Sequence, residues 1–144
     1  MKLQVAWVKA GKARSAAAEE LATEYIKRIG GYAHIEAHEF KAEAALLKAT
    51  EKSGARLVAL DSRGREFSSE QFAEWLRKQR DSGVELMFAV GPADGFSEEA
   101  RRAAFAQLSL GKMTLPHDLA RVVLLEQIYR AFTILVGHPY HLGH

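Results

Sequence analysis

Side chains with acid–base capacity concentrate near the C-terminus, where four of the six histidines lie within the last 28 residues: His117, His138, His141 and His144. An ordinary histidine has a pKa of about 6.5, so such a cluster beside a pocket could transfer protons at neutral pH. For His144 a solvated tail is the simpler interpretation. Zinc binding is disfavoured, because His138 and His141 are expected in an extended tail and lack the glutamate of a His-Glu-x-x-His helix. We therefore expect no metal.

Glycine or an acid follows the last apolar residue of three predicted strands, at Leu60-Asp61, Val90-Gly91 and Leu110-Gly111. In open α/β sheets, ligands bind at the carboxyl ends of the strands. One such loop alone is more simply a turn, but three of them on one rim predict a pocket. The spacing Gly91-x-x-x-Gly95 fits neither a dinucleotide fingerprint nor a phosphate loop. An enzyme that depends on a nucleotide cofactor of that kind is therefore disfavoured.

The longest apolar segment, residues 119–136, contains Arg121, Glu126 and Arg130, and these charges would be costly in lipid. We therefore predict a soluble helix and no membrane partner. Glu126 and Arg130 have the i, i+4 spacing of an ion pair within a helix. The segment is apolar on nearly every side, which is more than one face of a sheet can cover. This pattern favours a second role for the helix as a subunit interface.

Strand-like and helix-like segments alternate along the whole chain, which predicts an α/β fold with a mostly parallel sheet flanked by helices. The predicted strands are residues 2–8, 34–40, 56–61, 84–90 and 107–110. The predicted helices are residues 15–29, 41–53, 68–81, 98–105 and 118–136. Residues 62–65 are expected to form a basic turn. No repeat or linker is visible, so residues 1–144 are predicted to form a single domain.

Composition narrows the function classes without choosing among them. The chain has no cysteine, which excludes disulfides, a thiol nucleophile and thiolate zinc sites. This composition is compatible with a cytoplasmic location, and no export signal is visible. The formal net charge is only +2, so bulk charge does not indicate a nucleic-acid binder. Basic residues at loop ends could still form a phosphate-binding stripe if a two-fold axis doubled them: Lys9, Lys12, Arg14, Arg63 and Arg65.

Three C-terminal motifs resemble a known family: LGKMTLPH at residues 110–117, RVVLLEQIYRAF at residues 121–132 and HPYH at residues 138–141. They closely resemble the bacterial ribosomal large subunit methyltransferase H family, which is part of the SPOUT methyltransferases. The resemblance covers the whole chain, although the first hundred residues match mainly in layout. It implies a single SPOUT domain with a C-terminal trefoil knot. It also implies a cytoplasmic homodimer that uses S-adenosyl-L-methionine to methylate N3 of a pseudouridine in 23S rRNA of the assembled ribosome.

The resemblance also implies site residues. The implied cofactor contacts are Leu60, Val90, Gly91, Leu110, Gly111, Lys112, Met113, Thr114 and Leu115; the family's usual glycine pair reads Val90-Gly91 here. In the catalytic role, His141 or Tyr140 would assist deprotonation or orient the base, and Arg130 would stabilise negative charge on the uracil ring or grip its phosphate. The main alternative is a non-enzymatic ribosome-associated RNA-binding protein. It would explain the basic loops, but not the strand-end pocket with a histidine-rich tail.

Overall fold

The structure, a computed structural model, describes residues 1–9 and 15–142, so Lys12, Arg14 and His144 lie outside the described residues. Its strands are β1 Lys2–Val8, β2 His34–Phe40, β3 Arg56–Glu66, β4 Leu86–Val90 and β5 Ala106–Ser109. Its helices are α1 Ala16–Ile29, α2 Glu43–Ser53, α3 Ser69–Asp81, α4 Glu98–Ala103 and α5 His117–Leu135. A short 3-10 turn, Pro139–His141, follows α5. Except for the end of β3, the predicted bounds are confirmed to within two residues.

The five strands form one sheet in the order β2-β1-β4-β3-β5, and every neighbouring pair is parallel. The predicted α/β architecture with a parallel sheet is therefore confirmed. Strand β4 lies at the centre, and all five of its residues are buried. Such continuous burial is typical of a strand that is covered on both faces, and the sequence of β4, LMFAV, is apolar throughout.

Helices cover both faces of the sheet and create two apolar cores. On one face, α1, α3 and α5 pack through residues such as Ile29, Leu76 and Leu125. On the other face, Leu46 of α2 and Ala100 of α4 pack against the sheet. The carboxyl ends of the parallel strands consequently share one edge between the two helical layers.

Serine residues cap three of the helices: Ser15 precedes α1, Ser68 precedes α3 and Ser97 precedes α4. The Ser68 hydroxyl accepts a hydrogen bond from the Gln71 backbone N–H at 3.1 Å, while the Gln71 side-chain oxygen accepts one from the Ser68 N–H at 2.9 Å. This reciprocal capping box satisfies two N–H groups that the helix itself cannot use. Ser15 caps α1 by accepting from the Ala18 N–H at 3.1 Å.

The expected basic turn at residues 62–65 is wrong, because β3 continues to Glu66. Leu60 and Arg65 are both paired with Leu108 of β5, so the intervening residues bulge out of the ladder and β3 then resumes its pairing. A Cβ at Gly64 would lie 2.7 Å from the carbonyl carbon of Gln107. Glycine is therefore needed for the close approach of two backbones and does not mark the end of the strand.

The apolar circumference of α5, from which the sequence predicted a subunit interface, is covered largely within the chain, and the interface stays a prediction. Helix α5 lies between α1 and α3 and packs on the sheet, so its own chain covers most of its circumference. Leu125 and Ile128 are fully buried, both at 0% exposure. Leu119 is the exposed exception at 48%. The additional partners that the apolar pattern required are therefore helices of the same chain.

The segment after α5 is not the extended tail that the sequence suggested. The His138 backbone N–H donates to the Thr133 carbonyl at 2.9 Å, which turns the chain back at the end of the helix. The His138 ring Nδ1 then accepts from the Tyr140 N–H at 3.1 Å and caps the 3-10 turn. The pair His138 and His141 is thus held by local hydrogen bonds.

Candidate functional site

A cleft of about 380 Å³ opens at the bulge of β3 and at the ends of β4 and β5, the edge where ligands bind in open α/β sheets. Eight of the nine predicted cofactor contacts line it: Leu60, Val90, Gly91, Leu110, Gly111, Met113, Thr114 and Leu115. Lys112 is exposed and does not line the cleft. The pocket predicted from three strand ends is therefore present, with leucines from the β3 bulge, from the end of β5 and from the loop before α5 in its walls.

Different structural constraints act on positions 90 and 91. Val90 is 6% exposed and completes β4 in pairing with β1, so an ordinary β-branched residue fits there. A Cβ at Gly91 would lie 2.9 Å from ring atoms of Phe96, which is itself buried. Glycine at position 91 is thus required by packing against the following loop. Gly111 has a φ of 134°, a conformation that favours glycine.

Asp61 forms a charged part of the cleft wall, and the sequence did not single it out as a site residue. Its carboxylate accepts from the Arg63 N–H at 2.8 Å and from the Arg63 guanidinium at 3.0 Å. The Arg101 Nε lies 3.9 Å away on the other side. The hydrogen bonds from Arg63 hold the pKa of Asp61 below its usual range, although burial opposes them. Asp61 is therefore ionised at neutral pH and fixes the bulge of β3 beside the cleft.

His117, the first residue of α5, is the second wall residue that was not assigned to the cofactor site. Its Nδ1 lies 4.0 Å from an Asp118 carboxylate oxygen. Its Nε2 is buried and has no hydrogen-bond partner among the described residues. A buried polar atom without a partner is costly, so a polar group of a bound molecule would satisfy it. The signal for His117 was its position at the start of a helix that follows a strand-end loop.

Arg130, Tyr140 and His141 belong to a separate cluster at the other end of α5. Arg130 donates to Glu126 at 2.8 Å, which confirms the predicted ion pair, and its guanidinium lies 5.3 Å from the centre of the Tyr140 ring. The Tyr140 hydroxyl is 3.4 Å from the Tyr25 hydroxyl. Burial raises the pKa of Tyr140 well above its ordinary value, and Tyr25 and Glu126 add to that shift. Tyr140 is consequently a neutral phenol at physiological pH.

This cluster does not line the cleft. Arg130 lies 13 residues beyond His117 on one continuous helix, so the two Cα atoms are about 20 Å apart along the axis. His141 Nδ1 is 3.0 Å from the His138 carbonyl, on the same side of the fold as Tyr140. Within one chain, the structure therefore brings together the predicted cofactor contacts other than Lys112 and separates them from the predicted catalytic residues.

No helix within residues 1–9 and 15–142 is long and apolar enough to cross a membrane. No group of three or more His, Cys, Asp or Glu side chains there is arranged to hold a metal ion.

The geometry can now be compared with known proteins. The sequence profile of the family described as "Predicted SPOUT methyltransferase" matches residues 1–141. This chain belongs to the SPOUT methyltransferase family. It is 50% identical over 148 residues to the ribosomal RNA large subunit methyltransferase H of Koribacter versatilis, and the match covers 100% of both chains. It is 42% identical over 154 residues to the protein of the same name from Geotalea daltonii, covering 98% of this chain and 99% of the relative.

Solved structures with little sequence similarity share the fold of this SPOUT methyltransferase. A probable methylase family protein from Haemophilus influenzae superposes with a TM-score of 0.62 at 10% identity, covering 99% of this chain and 71% of the other. The SpoU methyltransferase AviRb from Streptomyces viridochromogenes, solved with the cofactor AdoMet, gives a TM-score of 0.51 at 12% identity, covering 93% and 60%. The family resemblance seen in the C-terminal motifs is therefore confirmed, and the fold agrees with it.

Proposed function

We propose that this SPOUT methyltransferase transfers a methyl group from S-adenosyl-L-methionine to N3 of a pseudouridine in 23S rRNA of the assembled ribosome. The observation that carries the proposal is the cleft at the β3 bulge and the ends of β4 and β5, in a chain that matches ribosomal RNA large subunit methyltransferases H over its full length. The proposal includes a single domain over residues 1–144, a C-terminal trefoil knot, and action in the cytoplasm.

The cleft suits adenosylmethionine on physical grounds. Leu60, Leu110 and Leu115 provide apolar surface for the adenine ring, and the unsatisfied Nε2 of His117 offers a partner for a polar group. The other proposed contacts are Val90, Gly91, Gly111, Lys112, Met113 and Thr114. When bound, the cofactor supplies a methyl group that is already activated by a sulfonium cation. The protein has to orient the target base in line with that methyl group and remove the N3 proton.

Arg130, Tyr140 and His141 are the residues we propose for the proton and the developing charge. The hydrogen bond to Glu126 raises the pKa of Arg130, so this guanidinium stays positive and can stabilise negative charge on the ring. The neutral Tyr140 phenol is suited to donating a hydrogen bond that orients the base. His141 is then the proposed acceptor of the N3 proton, because its imidazole is only half-buried and can exchange the proton with solvent.

The distance between the cleft and this cluster supports a homodimer. Residues about 20 Å apart on one helix cannot act on the same methyl group within a single copy. In a homodimer, the cluster of one protomer can complete the cleft of its partner, which is consistent with the C2 symmetry of most homo-oligomers. Dimerisation also doubles the basic residues available for rRNA.

The decisive experiment combines labelled S-adenosyl-L-methionine with ribosomes from cells that lack the endogenous enzyme. We expect label in 23S rRNA at one pseudouridine, located by mapping the modified nucleotide. Calorimetry with adenosylmethionine separates this function from that of a non-enzymatic ribosome-associated RNA-binding protein, which would bind no cofactor. Absence of label together with absence of cofactor binding would refute the proposal.

The catalytic assignment is tested by His141→Ala. We expect turnover on ribosomes to fall by about 100-fold, the usual scale for loss of a general base, while cofactor affinity stays nearly unchanged. His34→Ala is the matched control, because His34 is an exposed histidine on the edge strand β2. Wild-type turnover of the His141 variant would remove this residue from the mechanism.

A further inference from the structure

A second cavity lies outside the cofactor cleft, between α3 and the edge strand β5. Its volume is about 320 Å³, which is within the range of small-ligand sites. Four aromatic side chains line it: Phe67, Phe72, Trp75 and Phe105. Leu108 lines both this cavity and the cleft, so the two spaces are neighbours across β5. Neither the sequence motifs nor the proposed chemistry gives this cavity a role.

Three of the four aromatic rings are partly exposed along the cavity, whereas Phe72 is buried at 4% exposure. Phe72 and Trp75 are stacked with ring centres 6.0 Å apart and planes 14° apart, and Phe67 is tilted against both. Phe105 stands at the rim and is 43% exposed. Exposure of a phenylalanine beside an open aromatic cavity to water is unfavourable. A planar apolar group that binds there would cover this surface.

Two arginines lie against the aromatic residues of this cavity. The Arg65 guanidinium is 4.3 Å from the centre of the Phe67 ring, and the Arg56 guanidinium is 4.8 Å from that of Phe105. Every other arginine in residues 1–9 and 15–142 has a carboxylate within 4.0 Å. Arg56 and Arg65 are thus the only described arginines without an ion pair, and both are exposed.

We propose that this cavity binds an unstacked nucleotide of the RNA substrate, with the base on the aromatic faces and the neighbouring phosphates on Arg56 and Arg65. The inference rests on the proposed function, because it takes RNA as the ligand. Guanidinium groups that lie on aromatic rings keep their N–H groups available for phosphate oxygens. Stacking on aromatic side chains accepts any base, so the site adds affinity and position without selecting a sequence.

Charge complementarity favours RNA over a second copy of the chain or a peptide. An apolar partner surface would bury two guanidinium groups without an anion, which is unfavourable. An acidic peptide would supply carboxylates for the arginines but no planar ring to stack on the aromatic side chains. A nucleotide supplies both a planar ring and an anion. Because the cavity adjoins the cleft across β5, the bound nucleotide would be one that lies close to the methylated base in the folded RNA.

The first test measures binding of a single-stranded RNA of about ten nucleotides by fluorescence anisotropy, using the full chain. The double variant Arg56→Gln/Arg65→Gln is expected to lose about tenfold in affinity at physiological ionic strength. The slope of log affinity against log salt should become shallower by about 1.4, which corresponds to two phosphate contacts on a single strand. Arg102→Gln is the matched control, because Arg102 is an exposed arginine on α4 and is paired with Glu98.

The second test isolates the base. An abasic strand of the same length keeps every phosphate but cannot stack, so wild type should bind it more weakly than the normal strand. Phe105→Ala should reduce this difference, and the exposed position of Phe105 makes the variant compatible with folding. In a Trp7→Phe background, Trp75 is the only tryptophan and its fluorescence should be quenched by the normal strand alone.

The outcomes separate this inference from the proposed function. If the double variant and Phe105→Ala bind both strands as wild type does, or if wild type binds neither, the nucleotide site is refuted. A changed sedimentation profile with unchanged RNA affinity would instead make the cavity a contact between copies and would also refute it. If wild type binds RNA through the cavity but neither binds adenosylmethionine nor methylates ribosomes, the proposed enzyme function fails while the nucleotide site stands.

Discussion

Alanine at position 91 should destabilise the protein because of Phe96 and not because of a missing cofactor contact. A Cβ at this position would lie 2.9 Å from the Cγ and Cδ2 atoms of the Phe96 ring, which is 5% exposed. Cγ is the ring carbon that is bonded to Cβ, so rotation of the ring about the Cβ–Cγ bond does not move it. The buried ring therefore cannot avoid the contact unless the backbone of residues 95–97 moves. Overpacking of this kind costs about 1 to 3 kcal/mol.

A double-mutant cycle measures the coupling free energy between positions 91 and 96 that this contact predicts. Phe96→Ala removes the whole ring, Cγ and Cδ2 included, and leaves a void, at a cost of about 3 to 5 kcal/mol. In Gly91→Ala/Phe96→Ala the new methyl group occupies part of that void. The double variant should therefore be more stable than the sum of the single effects predicts, by about 1 kcal/mol.

Urea unfolding provides the assay, with the midpoint read at an unchanged m-value so that the differences report stability alone. Calorimetry with adenosylmethionine is run on the same four proteins. Gly91→Ala should weaken cofactor binding by displacing the loop that lines the cleft, and adding Phe96→Ala should restore part of it. Strictly additive stabilities would refute the clash with Phe96. Cofactor affinity that falls with Gly91→Ala and is not restored in the double variant would show that the glycine serves the cofactor directly.

Three further predictions address the core and the cleft wall. Leu125→Ala should lower the free energy of unfolding by about 2 to 5 kcal/mol, because Leu125 is fully buried within its own chain; an unchanged urea midpoint would contradict this. Because the pKa of Asp61 is lowered in the folded state, its contribution to stability is complete above the unfolded-state pKa of about 3.9 and is lost as the pH falls through the folded-state pKa. Asp61→Asn should therefore lose less stability than wild type between pH 5 and the acid limit. An identical acid profile would exclude that role. His117→Ala should weaken adenosylmethionine binding about tenfold in calorimetry without lowering the urea midpoint, because its buried Nε2 has no hydrogen-bond partner within residues 1–9 and 15–142. His117→Gln should recover part of the affinity, and equal affinities of wild type and His117→Ala would remove His117 from the site.

Much of the fold was predictable because its signals are local. The predicted ranges of β1 and β2 agree with the structure at both ends, and α3 begins within one residue of its predicted start. The continuation of β3 to Glu66 could not be predicted in this way. It depends on pairing with β5, which lies about forty residues later in the chain, and on the backbone of Gln107 passing close to Gly64.

The candidate site shows the same division. Strand-end residues such as Leu60 and Leu110 could be assigned to one pocket because parallel strands end at a common edge. The apolar circumference of α5 indicated that several partners cover it, but hydropathy does not say whether they belong to the same chain. The separation of Arg130 from the cleft follows from the direction in which α5 runs, which motif spacing alone does not reveal.

The central position of β4 has a consequence for how the cleft persists in time. Strand β4 has hydrogen-bonded neighbours on both sides, is buried along its whole length, and ends directly at the floor of the cleft. Amide groups in such a strand exchange with solvent only when the whole domain opens, whereas loops open in small local events. The floor of the cleft is therefore as long-lived as the folded state itself. The loops around the floor can fluctuate while β4 keeps its position. They can also accumulate substitutions over evolutionary time without displacing β4.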